Sequence, residues 1–112
     1  MVHEMKLQDV YFKKIASKEK IYEVRLNDEK RKLINIDDTI VFTNLTTKQT
    51  IKVKVTNLYH FKSFVQMAST LPATLLGFEN YSKEQIVDTY HTFYTPYDEQ
   101  TYGVLAIQVE CI

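Results

Sequence analysis

The stretch Ile15-Ala-Ser-Lys18-Glu-Lys20-Ile-Tyr-Glu23-Val-Arg25-Leu-Asn27-Asp28 gathers ammonium, carboxylate and guanidinium groups on one short segment of a chain whose formal net charge is +0. Its second half alternates in polarity. A strand over Ile21 to Leu26 has a side-chain period of two, so Ile21, Glu23 and Arg25 share one face and Tyr22, Val24 and Leu26 the other. Glu23 then stands beside Arg25, with Lys20 entering from the preceding turn. Charges gathered in this way form either an exposed edge-strand ion pair, which is worth little, or the floor of a site for a polar ligand.

The pattern on either side of this segment sets the fold class. Upstream, Met5 and Leu7 mark a short opening strand. Asp9 is placed to cap a helix in which Phe12 and Ile15 recur at helical spacing, with Lys13, Lys14 and Lys18 on the outer face. Downstream, a charged turn from Asn27 to Lys32 leads into two β-rich runs, Thr39 to Leu45 and Thr50 to Tyr59, separated by Thr46-Thr-Lys-Gln49. Ile51, Val53 and Val55 alternate with Lys52, Lys54 and Thr56, which makes this pair a hairpin. A helix is expected from Phe61 to about Ser69, then a short helical turn over Pro72 to Leu76 stopped by Gly77. A further helix begins at Ser82, where Ser82-Lys-Glu-Gln85 has the form of a capping box and Ile86, Tyr90 and Phe93 supply a buried stripe. Pro96 and the acidic pair Asp98-Glu99 are expected to end it. Tyr102 to Val109 is apolar on both faces, as in a strand covered on both sides. Periodicity alone therefore predicts a mixed α+β domain.

Composition narrows the function classes. At 112 residues with 45% apolar residues, the chain is expected to be one domain, residues 1–112, with a core of ordinary size. No apolar run approaches a membrane span and the N-terminus lacks a signal-peptide pattern, so a cytoplasmic protein without membrane association is expected. The one cysteine, Cys111, excludes a disulfide within the chain and reads as a small strand residue. Between Lys13 and Lys32 there are eight Lys/Arg against four Asp/Glu, whereas Leu76 to Ile112 holds one Lys against six acids. The basic segment can meet phosphate, but the neutral balance of the whole argues against tight nonspecific nucleic-acid binding. His3, His60 and His91 are isolated from one another and from metal-binding carboxylate pairs, so no metal site is expected. With two glycines in the chain there is no phosphate-cradling glycine loop. G-x-S-x-G is absent too, and no cofactor is expected. The second half is crowded with aromatic residues, of which one or two tyrosines near Lys20 are available to stack a base.

The charged segment also carries a family resemblance. The spacing Ile15-x-x-Lys18-x-Lys20-x-x-Glu23-x-Arg25 is followed by Leu26-Asn27-Asp28-Glu29-Lys30-Arg31 and then by Ile36-Asp37-Asp38-Thr39-Ile40-Val41-Phe42. This resembles the ASCH domain of the PUA-like superfold, whose pattern reads I-x-x-G-x-K-x-x-E-x-R, a charged turn, then G-D-x-I-x-F. Tyr102-Gly103-Val104-Leu105-Ala106-Ile107 is similar to the closing strand of small bacterial ASCH proteins. Lys18 and Asp37 stand where the family has glycine; such glycines serve backbone geometry, so the departures bear on turn conformation more than on fold. The resemblance implies a small PUA-like mixed β-barrel with two or three flanking helices.

Three readings of function follow, the first two implied by the resemblance. The first is a module that binds RNA or a nucleotide-like ligand in a cleft lined by Lys20, Glu23, Arg25, Asn27, Asp28 and Arg31. In it Arg25 holds a phosphate or base edge, Lys20 supplies a point charge, and Glu23 accepts from an exocyclic amine. The second is an amidohydrolase acting on a small modified nucleoside. The chain is distantly similar to acetylcytidine amidohydrolases, which use a lysine, a threonine three positions later and a distant glutamate. Lys20 and Glu79 match the first and last, but Glu23 occupies the threonine position and supplies no hydroxyl, so in this reading it serves as a carboxylate base acting on water. A carboxylate there also favours the charged ammonium of Lys20 and opposes a depressed pKa. The third is a protein-interaction domain in which the charged strand is only structural.

Overall fold

The computed structural model describes residues 1–112 as a five-stranded sheet with four α-helices and two short 3-10 turns. The strands are β1 (Val2–Leu7), β2 (Tyr22–Leu26), β3 (Thr39–Asn44), β4 (Thr50–Phe61) and β5 (Val104–Cys111). The helices are α1 (Asp9–Ala16), α2 (Phe64–Thr70), α3 (Lys83–His91) and α4 (Pro96–Tyr102). The 3-10 turns are Arg31–Leu33 and Thr74–Leu76. No helix is long and apolar enough to cross a membrane.

The sheet order is β1-β3-β4-β5-β2, parallel between β1 and β3 and antiparallel elsewhere. β1 and β2 are thus the two edges. They are nonetheless brought together: the Arg25 side chain of β2 donates from Nη2 to the Lys6 carbonyl of β1 at 2.9 Å. The sheet therefore curls into an open half-barrel, the mixed α+β architecture expected from the sequence.

β5 lies between β4 and the edge strand β2 and supplies two cores, which explains why it is apolar on both faces. Leu105, Ile107 and Val109 point inward with Met5, Phe12, Ile15, Ile40, Phe42 and Val53, where α1 plugs the curl. Val104 and Ala106 point outward with Val24, Leu26, Phe64, Met67, Leu76, Ile86 and Tyr90, beneath α2 and α3. Phe42 is wholly buried, and truncating such a side chain to alanine typically costs about 3–5 kcal/mol.

Several boundaries differ from the sequence reading for local reasons. Asp9 is the first helical residue of α1, with Gln8 before it as N-cap. Its carboxylate instead meets Lys13 Nζ at 3.0 Å and accepts from Asn44 Nδ2 at 2.9 Å. β4 extends through Phe61, and α2 starts only after Ser63, whose side chain accepts from the Gln66 N–H. The capping box at Ser82 forms as expected. Phe93, however, lies beyond α3 and is 61% exposed, outside the buried stripe. Pro96 starts a helix where it was expected to end one: Thr95 caps α4, and proline suits the first turn because its missing N–H would have no partner there. That helix, with α1, α2 and α3, brings the count to four against the two or three expected.

The two departures from the family glycines have a clear backbone reading. Lys18 and Asp37 adopt φ of +70° and +76°, in the left-handed region. The turns keep the conformation for which glycine is suited, at the expense of Cβ strain.

Candidate functional site

Three elements set the positions of Lys20, Glu23 and Arg25. Glu23 and Arg25 lie opposite Ile107 and Leu105 on β5, so both project to the inner face of the curled sheet. Lys20 precedes β2 in a turn held by Lys20 N–H donating to the Lys14 carbonyl at 3.0 Å and Ile21 N–H donating to Leu75 at 3.0 Å. Lys20 and Glu23 are 3% and 7% exposed, so this is no surface ion pair.

Glu23 sits between the two cations. Its Oε2 accepts from Arg25 Nε at 2.6 Å, and its Oε1 lies 3.5 Å from Lys20 Nζ. Lys20 Nζ also donates to the carbonyls of Tyr22 at 2.5 Å and Leu76 at 2.7 Å. Three acceptors thus surround the three donors of an ammonium. Burial pushes the Lys20 pKa below its ordinary value against the opposing pull of Glu23. Glu23 opposes the depression, as expected from the sequence, but desolvation is the larger effect and the net shift is downward. For Arg25 burial also works downward, yet the charge and hydrogen bond of Glu23 raise it above its ordinary value.

These groups form the floor of a cavity of about 360 Å³. Its walls include Tyr11, Phe78, Tyr90, Phe93 and Tyr94, and Leu45 and Phe93 stand exposed at its mouth. The walls are braced by aromatic contacts: Tyr11 meets Phe78 edge-on at 5.6 Å, Phe78 meets Tyr90 at 5.7 Å, and Phe64 stacks on Tyr90 at 4.8 Å. Lys20 Nζ lies 5.8 Å from the centre of the Tyr11 ring. Burial raises the pKa values of Tyr11, Tyr90 and Tyr94, with Glu23 adding to each, so the three phenols stay protonated at neutral pH. The cavity therefore offers flat apolar walls, phenolic hydroxyls and a carboxylate whose neighbouring cations are already engaged. Such a surface suits a planar ligand with hydrogen-bond donors on one edge.

The other residues singled out from sequence lie elsewhere. Asn27, Asp28 and Arg31 do not line this cavity; Asp28 Oδ1 accepts from the Arg31 N–H at 3.0 Å, which shapes the turn after β2. Glu79 is exposed in the turn beyond Gly77 and also lies outside the cavity lining. Gly77 matters more than its neighbour. With φ of +88° it lets the chain pass against Lys20, where an added Cβ would stand 3.0 Å from Lys20 Cδ. Sequence reasoning missed Tyr11, Phe78 and Lys6 as cavity residues. Tyr11 adjoins the helical core residue Phe12, and nothing in the periodicity of α1 distinguishes it as a wall.

His3 and His91 each meet a carboxylate. His3 Nε2 lies 2.8 Å from Asp38 Oδ2, and His91 Nε2 lies 2.8 Å from Glu99 Oε1. Glu99 also accepts from the Phe64 N–H at 2.6 Å, tying α4 to the start of α2. Both histidines join secondary-structure elements far from the floor of the cavity in sequence.

Comparison with known proteins places this geometry in context. The family model of the ASCH domain matches residues 5–112. The chain is similar to the crystal structure of hypothetical protein PH0355, with 36% identity, coverage of 100% of both chains and a TM-score of 0.90. It is also similar to protein PF0455 from Pyrococcus furiosus, solved by NMR in solution, with 32% identity over 100% of this chain and 98% of that one and a TM-score of 0.76. An ASCH crystal structure from Zymomonas mobilis shares the fold at 15% identity, with a TM-score of 0.69 over 97% of this chain and 66% of that one. No curated protein matches the chain.

Proposed function

The chain belongs to the ASCH domain family, and from that premise we propose that it binds RNA or a nucleotide by receiving a base in the cavity above Lys20, Glu23 and Arg25. The observation that carries the proposal is a buried carboxylate facing an aromatic-walled cavity while its two flanking cations are occupied within the protein. Glu23 accepts from an exocyclic amine or ring N–H, and the tyrosines and Phe93 cover the faces of the base. This changes the roles expected of the cations. Arg25 and Lys20 orient Glu23 and do not themselves take the phosphate.

The amidohydrolase alternative draws support from the buried, pKa-depressed Lys20. Its other requirements go unmet, since Glu79 lies outside the cavity and Glu23 supplies no hydroxyl. The binding reading is therefore preferred. Its test is titration of the protein with cytidine, adenosine, uridine and short single-stranded RNA, followed by backbone and aromatic NMR. Shifts confined to Tyr11, Tyr90, Phe93 and Tyr94, weakened by Glu23→Gln, are expected. RNA should bind modestly and lose affinity with salt, because only a local surplus of basic residues meets phosphate. Absence of any shift in the cavity residues at millimolar ligand defeats the proposal.

A further inference from the structure

The chain has two arginines, and they differ sharply. Arg25 is paired with Glu23 and Lys6, whereas the side chain of Arg31 enters no hydrogen bond or ion pair; its Nε is buried without an acceptor. The acids in its own turn are engaged elsewhere: Asp28 accepts from the Arg31 backbone, and Glu29 lies 3.4 Å from Lys32 Nζ. Exposed lysines need no partner, because water solvates them. A half-buried guanidinium has lost part of that hydration, and the nearby charges of Asp28 and Glu23 supply no hydrogen bond to its Nε. Burial, and then the like charge of Arg25, hold the Arg31 pKa below its ordinary value.

Arg31 also has a place to put a ligand. With His3, Glu4 and Lys30 it lines a second cavity of about 230 Å³ between β1 and the 3-10 turn. It lies within electrostatic reach of Arg25, Tyr94 and Glu23, all of which line the first cavity. Asn27, four residues earlier, has a buried Oδ1 that is likewise unpartnered. A water molecule at Arg31 would satisfy a hydrogen bond but bring no opposite charge. An oxyanion does both, and the guanidinium fork matches two phosphate oxygens.

We infer that Arg31 is a phosphate-binding residue, so that the ligand of this protein is a phosphate ester whose base occupies the first cavity and whose phosphate lies on Arg31 in the second. The choice of a nucleoside phosphate rests on the base-binding reading above; the choice of an anion rests on Arg31 itself. Glu4 is the one acid lining the second cavity and opposes the phosphate, so removing its charge strengthens binding.

The test compares cytidine, cytidine monophosphate, a cytidine trinucleotide and inorganic phosphate by calorimetry, with the Arg31 Nε–Hε resonance followed by NMR. The monophosphate is expected to bind about tenfold more tightly than cytidine, as one charge-assisted hydrogen-bond pair provides. Arg31→Gln should abolish that difference while leaving cytidine unchanged, Arg31→Lys should keep part of it, and Glu4→Gln should increase it. Inorganic phosphate alone should move the Arg31 resonance. A larger gain for the trinucleotide than for the monophosphate assigns the phosphate to a strand, and the reverse assigns it to a free nucleotide; either supports the inference. Equal affinity for cytidine and its monophosphate, or an Arg31→Gln variant that weakens both alike, overturns it while the base reading stands. If neither nucleoside nor nucleotide binds, the base reading falls. The nucleotide part of the inference falls with it, and the anion site at Arg31 is then judged on inorganic phosphate alone, a shifted resonance supporting it and an unmoved one overturning it.

Discussion

Arg25, on one edge strand of the sheet, donates from Nη2 to the backbone carbonyl of Lys6 on the other edge at 2.9 Å. The two strands share no ladder, so this side chain spans the opening of the half-barrel, and its Nε holds Glu23 at 2.6 Å. One residue therefore joins the curvature of the fold to the orientation of the carboxylate at the floor of the cavity.

Arg25→Ala should lower stability by about 2–3 kcal/mol, a charge-assisted pair in a partly buried setting. Arg25→Lys keeps the charge but loses the fork, and should recover only part of this. Urea denaturation measures both. An unchanged midpoint for Arg25→Ala would show that the edges are held together without it.

Lys20→Met removes an ammonium from between two carbonyls and a carboxylate, and should cost about 3–5 kcal/mol, the range for breaking a buried pair from one side. The double variant Lys20→Met, Glu23→Gln should lose less than the sum of the single variants, because the Lys20–Glu23 contact broken by one change cannot be lost again by the other. Additive losses in the cycle would mean that the pair is not coupled.

The left-handed positions predict opposite signs. Gly77→Ala adds a Cβ at φ +88° against Lys20 Cδ, and should destabilise by about 1–2 kcal/mol while displacing the Lys20 side chain. Lys18→Gly relieves a φ of +70° at an exposed residue and should stabilise by about 0.5–1 kcal/mol, the residual after the greater chain entropy of glycine. Thermal and urea unfolding of the two variants test the pair; shifts in the same direction would contradict the backbone argument.

The Asp38 carboxyl is lowered to about 2, by its hydrogen bond to His3 first and then by the Asn35 N–H and the N-terminal ammonium. Because the folded value is depressed, the stability it contributes is complete above the ordinary carboxylate range. It is lost as the pH falls through about 2. His3→Ala should raise the Asp38 pKa and move the loss to higher pH, as read by carboxyl ¹³C titration. An unmoved titration would exclude His3 as the main cause.

The unmodified protein should release no acetate from acetylcytidine. Glu23 supplies no nucleophilic hydroxyl, Lys20 Nζ is surrounded by three acceptors, and Glu79 stands outside the cavity. Chromatographic detection of acetate at a rate proportional to enzyme would reverse the preference for a binding module.

The local chemistry of this chain was legible residue by residue. Alternation from Tyr22 to Leu26 set β2 and put Glu23 and Arg25 on one face. The hairpin of β3 and β4, the Ser82 capping box and the left-handed turn at Gly77 each followed from a short motif whose physics is complete within a few residues. What lay between distant segments was not legible. That Pro96 starts a helix, that Phe93 stands at a cavity mouth, and that Tyr11 and Phe78 face one another depend on how α1 and α3 pack across the sheet. The burial of Lys20 and Glu23 depends on the curl that brings β1 to β2, and so does the difference between a paired Arg25 and an unpartnered Arg31. Sequence determines which charges lie close along the chain; desolvation and pairing are properties of the space they share after folding, and only the tertiary structure sets that.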